Sequence, residues 1–425
     1  MAEIRPFRGV HYDQLLVGDL STVICPPYDI ITAQLQQELY QRSRYNFVRL
    51  ESGRDLPQDT ATNNKYTRAA ATLEQWLEQG ILEVDKEPAI YLHDHYFTYQ
   101  GKQHRRRGIT ALVRLEEWDR MVIRPHEGTL AEPRNDRLSL LWACQANTSP
   151  ILALFEDQGQ VSSLLAAQAR NKPMFNLGTD EESHNVWAIT EAGVIDQICH
   201  NLANQSLYIA DGHHRYESAL IYRDERHACS PSMSTDEPIN FVIMTMVDFT
   251  DPGLTILPPH RLVRGMSRSV LDELTANLKT FFEVEELPLS RLEPETKREG
   301  LLLFGLAGEH FLVLRLRDLA AVNRMMPYFH SELYKKLEVS VVDHVILEKL
   351  LGLSSDRERE TLAYSYDKQD AMQRVLDGEY QLTVLLSPVK PETFKAIADA
   401  GDRMPRKSTY FYPKLPAGLI FNRLV

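Results

Sequence analysis

Asp211-Gly212-His213-His214-Arg215 gathers a carboxylate, two imidazoles and a guanidinium into five consecutive positions. An apolar run, Leu207 to Ala210, precedes it, and Tyr216, Ala219 and Leu220 follow at helical spacing. The pattern predicts a strand, a tight polar turn and a helix. Such a junction aims backbone N–H groups and the positive end of a helix at whatever lies above the turn. Arg215 adds a planar fork that matches phosphate or carboxylate oxygens. A site for an anionic small ligand is therefore expected, with Asp211, Gly212 and Arg215 holding it. Either His213 or His214 would hydrogen-bond a phosphate or carry a proton. Asp211 would cap the helix or hold a magnesium ion. A plain turn would use the same glycine for positive φ and leave the histidines as surface groups.

A carboxylate beside a bound anion could act as an acid or base. Glu127, between His126 and Gly128-Thr129, is one candidate, with His126 as a ligand contact. Asp29 is another: it follows Pro26-Pro27-Tyr28, where rigid prolines can fix a loop at the end of an extended stretch. Lys407-Ser408-Thr409 offers a cation and two hydroxyls, although without the glycines of a P-loop. Asn147, just before a predicted strand, and Arg261, after Pro258-Pro259-His260, are further candidate contacts. Asp136-Arg137 reads as a helix cap and a surface arginine. His93 and His95 fall on one face of a predicted strand and read as an exposed polar face. A zinc or manganese site would have to join Asp211, His213 and His214 with His126 and Glu127, and no His-Glu-X-X-His pattern supports it.

The elements that must position these groups are mixed. Residues 65–79 predict a helix, with Tyr66, Ala69, Leu73, Trp76 and Leu77 on one face and Gly80 as its stop. Residues 89–99 and 107–115 predict a hairpin around Gln100-Gly101, and 300–316 a second one near Ala307-Gly308. Strands are expected at 150–156, 206–210 and 240–249, and helices at Leu271–Phe281 and Ser340–Leu351. Residues 22–25 read as extended up to the paired prolines. The fold class is mixed α/β. Three regions are expected: 1–200, 201–284 with the Asp-Gly-His-His-Arg turn, and 285–425 packing back on the core. The acidic stretch 285–299 reads as a boundary or surface loop. Tyr410 to Val425 is too apolar for a free tail and should pack onto a sheet.

The 425 residues suffice for two or three domains. The net charge of −12 argues against a nucleic-acid partner, since duplex binders present a basic face, and the one dense basic run, His104 to Arg107, reads as an exposed hairpin flank. No apolar run approaches the roughly 18 residues of a membrane span, and the opening residues lack a signal core. A cytoplasmic location without a membrane partner is the expectation. Cys25, Cys144, Cys199 and Cys229 are widely spaced and suit buried thiols rather than a disulfide framework.

Several segments together resemble the domain-of-unknown-function family 1015. They are Arg5-Pro6-Phe7-Arg8-Gly9, Pro26-Pro27-Tyr28-Asp29, His126-Glu127-Gly128-Thr129, Asn147-Thr148-Ser149-Pro150, Asp211 to Tyr216, Pro259-His260-Arg261 and Met404 to Tyr410. The Asp-Gly-His-His-Arg turn also resembles the turn of ParB-type nucleotidases, sulfiredoxins and free-serine kinases. The kinases' Asp-Gly-X-His-Arg form is the nearest. Sulfiredoxins place a cysteine there, and this chain has histidine. The resemblance implies a ParB/sulfiredoxin-like core, ATP or ADP as co-substrate with magnesium, and a phosphotransferase acting on a small hydroxyl metabolite such as free serine. Two other readings are a ParB-like nucleotide-hydrolysing switch and a metal-dependent hydrolase of a phosphorylated metabolite.

Overall fold

The computed structural model of the chain describes residues 2–178, 182–230, 232–292, 300–353 and 361–424. The fold is mixed α/β and divides into two compact units. The first comprises Met1–Pro125, Thr129–Leu254 and Pro413–Val425, and the second His126–Gly128 and Thr255–Tyr412. The boundaries expected near 200 and 284 fall inside elements instead. Residue 200 lies in the helix Ala192–Ala203 and residue 284 in the strand Phe282–Pro288. The reason is pairing: the strand Leu207–Asp211 lies against Ile151–Phe155 and cannot leave the sheet of the first unit.

That sheet has nine strands. Its spine runs Ile123–Arg124, Leu207–Asp211, Ile151–Phe155, Phe241–Asp248, Lys102–Arg114, Ile90–Tyr99, Glu182–Ile189 and Phe175–Gly178, and Ile4–Arg5 pairs with Lys102–Arg114. Leu207–Asp211 runs parallel to Ile123–Arg124 and antiparallel to Ile151–Phe155. Both faces are covered, as alternation shows directly: Ile90 and Leu92 enter one apolar cluster and Tyr91 the other. The long hairpin forms at Gln100-Gly101, both with positive φ (49° and 71°), the conformation a two-residue hairpin turn demands. Its second strand begins at Lys102 rather than near 107. Helix Lys65–Glu78 buries Ala69, Leu73 and Trp76 behind an Asn64 capping box.

The second unit holds a six-stranded antiparallel sheet. Its order is Phe282–Pro288, His310–Leu316, Leu301–Ala307, Leu382–Leu385, His260–Val263 and Leu362–Ser365. The predicted loop at 285–299 is thus partly strand, and 293–299 lie outside the described residues. The predicted helix near 340–351 is a short α-turn, Glu338–Val341, followed by π-helix from Val342 to Leu350.

Two other expectations change. Residues 22–25 form no strand; a 3-10 turn, Leu20–Thr22, leads to a single bridge from Cys25 to Ala417. That bridge belongs to the C-terminal segment, which packs back as expected: Phe421 bridges to Val10 and Asn422–Arg423 pairs with Ala146–Asn147. Cys25 and Cys144 are buried, whereas Cys229 is exposed. Among the described residues no helix is long and apolar enough to cross a membrane.

Candidate functional site

The strand, turn and helix predicted around Asp211 are present as Leu207–Asp211 and His213–Cys229. Gly212, not Asp211, is the N-cap, with φ +98°, and no side chain caps the helix start. The positive φ favours glycine, and a Cβ at this position would lie 3.0 Å from the Arg215 guanidinium and crowd the arginine folded over it.

Arg215 is the hub. Its NH2 donates to Asp211 Oδ2 at 2.7 Å, and its NH1 donates to Ser149 Oγ at 3.2 Å and to the Pro150 carbonyl. Its Nε is buried and has no hydrogen-bond partner among the described residues. Asp211 Oδ1 accepts from Lys414 Nζ, and Asp29 lies 3.9 Å from the same ammonium. Burial would raise the Asp211 carboxyl, but Lys414 and Arg215 outweigh it and hold the group well below the usual carboxylate range. Both oxygens of Asp211 therefore face cations. That donor set does not fit magnesium, which takes oxygen ligands without cations crowding them. The magnesium expected at Asp211 is corrected accordingly: this carboxylate fixes Arg215 and Lys414.

A small cavity opens beside Arg215, lined by Arg137, Asn147, Thr148, Ser149 and Ser218 on its polar side and by Leu140, Leu141 and Val242 on its apolar side. Arg137 was expected at the surface, but only 8% of it is exposed. It sits 4.0 Å over the Tyr28 ring, pairs with Asp136 at 2.5 Å, and donates to the Glu51 carbonyl at 2.9 Å. Glu51 is fully buried and accepts from Thr148 Oγ1 at 2.7 Å and Ser149 Oγ at 3.0 Å. Asn147 lines the cavity from the strand Ala146–Asn147.

The two histidines separate. His214 Nε2 accepts the Leu130 N–H at 2.9 Å, and beside it Thr129 Oγ1 donates to Glu217, so this ring ties a loop to the helix. His213 is buried next to Asp211 and its charge would favour that carboxylate.

The other predicted residues belong to the second unit and are committed inside it. His126 is 1% exposed, and its Nε2 meets Thr409 Oγ1 at 2.9 Å. Glu127 accepts the Ser408 N–H at 3.0 Å, and Ser408 Oγ donates to the Pro405 carbonyl at 2.5 Å. Lys407 is exposed with φ +57°, and its carbonyl accepts from Arg261 at 3.0 Å. Arg261, fully buried, also donates to both Asp343 oxygens at 3.1 Å and to the Pro259 carbonyl at 2.6 Å. Ser408, Thr409 and Arg261 were expected to contact phosphate. In this structure their polar groups close turns and compensate a buried charge, as buried donors and acceptors require partners.

Lys414, Glu51 and Arg137 were not singled out as functional. Only the apolar character of Tyr410 to Val425 hinted that a cation there would be carried inward.

A family model described as "Protein of unknown function (DUF1015)" matches residues 4–340. No curated protein matches the chain. Among solved structures, a conserved hypothetical protein from Pyrococcus furiosus is 16% identical, with 75% of this chain and 95% of that chain covered at a TM-score of 0.38. A free serine kinase in complex with AMP is 14% identical, with 73% and 92% covered at 0.38. C-terminally truncated SbnI from Staphylococcus aureus is 11% identical, with 72% and 84% covered at 0.36.

Proposed function

The chain belongs to the DUF1015 family, described as proteins of unknown function, and from that premise we propose that its first unit binds a nucleotide by its phosphates and transfers a phosphoryl group to a small hydroxyl metabolite. One observation carries this reading. At Gly212–Arg215 the start of a 17-residue helix meets a guanidinium whose buried Nε lacks an acceptor among the described residues, beside a small cavity that Arg215 lines together with Thr148 and Ser149. An unpaired buried donor costs roughly 1–3 kcal/mol, more when charged, and a phosphate oxygen would remove that cost. The helix start favours the same anion.

The residues then divide the work. Arg215 and the turn amides hold the phosphate. Lys414, pinned by Asp211, is the cation that can follow charge onto the transferred group. Asp29, beside Lys414, orients the attacking hydroxyl. The oxygen–phosphorus bond to the acceptor forms as the bridging bond within the nucleotide breaks, and the acceptor proton leaves to Asp29 or water. Glu51 does not reach the ligand; it fixes Thr148, Ser149 and Arg137. The Asp-Gly-His-His-Arg turn resembles that of the free-serine kinases on a ParB/sulfiredoxin-like core, which favours free serine as the acceptor. The acceptor panel tests that choice.

The experiment is phosphorus NMR of the protein with ATP or ADP and a panel of small alcohols including serine. A new phosphomonoester signal, lost in Arg215→Ala and Lys414→Ala, is expected. Nucleotide left intact with every acceptor would sink the proposal.

A further inference from the structure

The face that carries His93 and His95 was expected to be exposed, and it is not. Both are buried, at 6% and 1% exposure, and the cross-strand register sets His184 opposite His95. His184 is likewise buried, and Glu182, one pleat further along the same face, reaches the group from a half-exposed position. The C-terminal segment lies beside His93, where Leu415, Pro416 and Ile420 line a cavity together with it.

We infer that His95, His184 and Glu182 form a binding site for a borderline divalent transition ion of the zinc class, separate from the nucleotide site proposed above. One ligand atom from each of the three lies within 4.8 Å of the others. His95 Nε2 and Glu182 Oε2 are already 2.9 Å apart, and the His95 and His184 rings stand 4.2 Å centroid to centroid. Tetrahedral zinc with bonds near 2.0–2.2 Å needs its donors about 3.3–3.5 Å apart, a spacing bracketed by the 2.9 Å between His95 Nε2 and Glu182 Oε2 and the 4.8 Å bound on the set. Two imidazoles and one carboxylate suit zinc, cobalt or ferrous iron, whereas magnesium and calcium prefer all-oxygen shells.

The neighbours fit an outer shell. His93 Nε2 lies 3.0 Å from His184 Nδ1, so His93 can accept the proton of a ligating His184 and fix its ring, as second partners of metal-bound histidines do. The half-exposed Glu182 leaves a side from which an ion can enter. Arg106 limits affinity. Its NH2 is 3.3 Å from His95 Nδ1 and 2.8 Å from the Pro413 carbonyl, so loading must displace the longer contact and tolerate a nearby cation.

Cobalt(II) and zinc(II) titrations of the full chain test this. One equivalent of cobalt is expected to give visible ligand-field bands of a low-symmetry site without the near-ultraviolet band of thiolate ligation. Zinc should displace it. Glu182→Gln and His184→Asn should each weaken binding at least tenfold, and Arg106→Gln should tighten it. Circular dichroism confirms that each variant is folded, and Glu182→Gln, at a half-exposed position, keeps the test decisive if a histidine variant unfolds. Absence of a saturable cobalt signal, or equal binding by folded Glu182→Gln, would overturn the assignment.

Discussion

Arg215 shows how one side chain can be fixed and still left available. Asp211, Ser149 and the Pro150 carbonyl take its terminal nitrogens, and its Nε has no partner among the described residues. Glu51 is the structural counterpart in the same unit, fully buried and serving two hydroxyls and Arg137. Removing one member of such a buried pair leaves a charge with less compensation, typically 3–5 kcal/mol. Glu51→Ala should therefore lower stability by about 3 kcal/mol, read as an earlier urea midpoint. A change below about 1 kcal/mol would show that Asp136 alone suffices for Arg137. The Asp211 turn was legible in the sequence because its groups are consecutive. Lys414 and Glu51 were not, because they reach the turn from segments far away along the chain. Ser408, Thr409, His126 and Arg261 pose the opposite problem: the sequence shows polar groups in or beside turns but not the partners inside the second unit that they bond.

The elements were read more accurately than the residues they carry. Period-2 and helical spacing located the hairpins, the strand before Asp211 and helix Lys65–Glu78, since local pattern and tertiary burial agree there. Alternation failed at His93 and His95, which are buried, and beside His93 the cover comes from chain that lies more than three hundred residues away. In the second unit, strand His260–Val263 carries a pH test. Burial pushes His260 down to about 4 from an ordinary 6.5, and its Nδ1 accepts the Leu386 N–H at 3.1 Å. The folded form therefore stays neutral in a window where the unfolded chain binds the proton. Stability is full above about pH 6.5 and falls as pH drops from 6.5 towards 4, by up to about 3 kcal/mol from this group. Urea midpoints at pH 7 and pH 4.5 should diverge in the wild type and less so in His260→Asn. Equal divergence in both would remove His260 as the cause.

At the scale of the whole molecule, each unit is assembled from pieces that are discontinuous in sequence. The division was not visible beforehand, because composition changes little across Pro125 or Leu254 and sheet pairing decides membership. Residues 413–425 make the point. Ala417 and Phe421 are fully buried and bridge to Cys25 and Val10, and Lys414 supplies a cation to Asp211. A chain ending at Tyr412 should lose cooperative unfolding of the first unit and become sensitive to limited proteolysis within it. Unchanged protease resistance would mean that this segment is dispensable. The most direct test of the account is calorimetric titration of ATP and ADP into the wild type and Arg215→Ala, with circular dichroism confirming that the variant is folded. The account predicts saturable one-to-one binding that weakens at least tenfold in the folded variant, on the order of 1.4 kcal/mol or more. Equal affinity in both proteins, or no heat with either nucleotide, would contradict it.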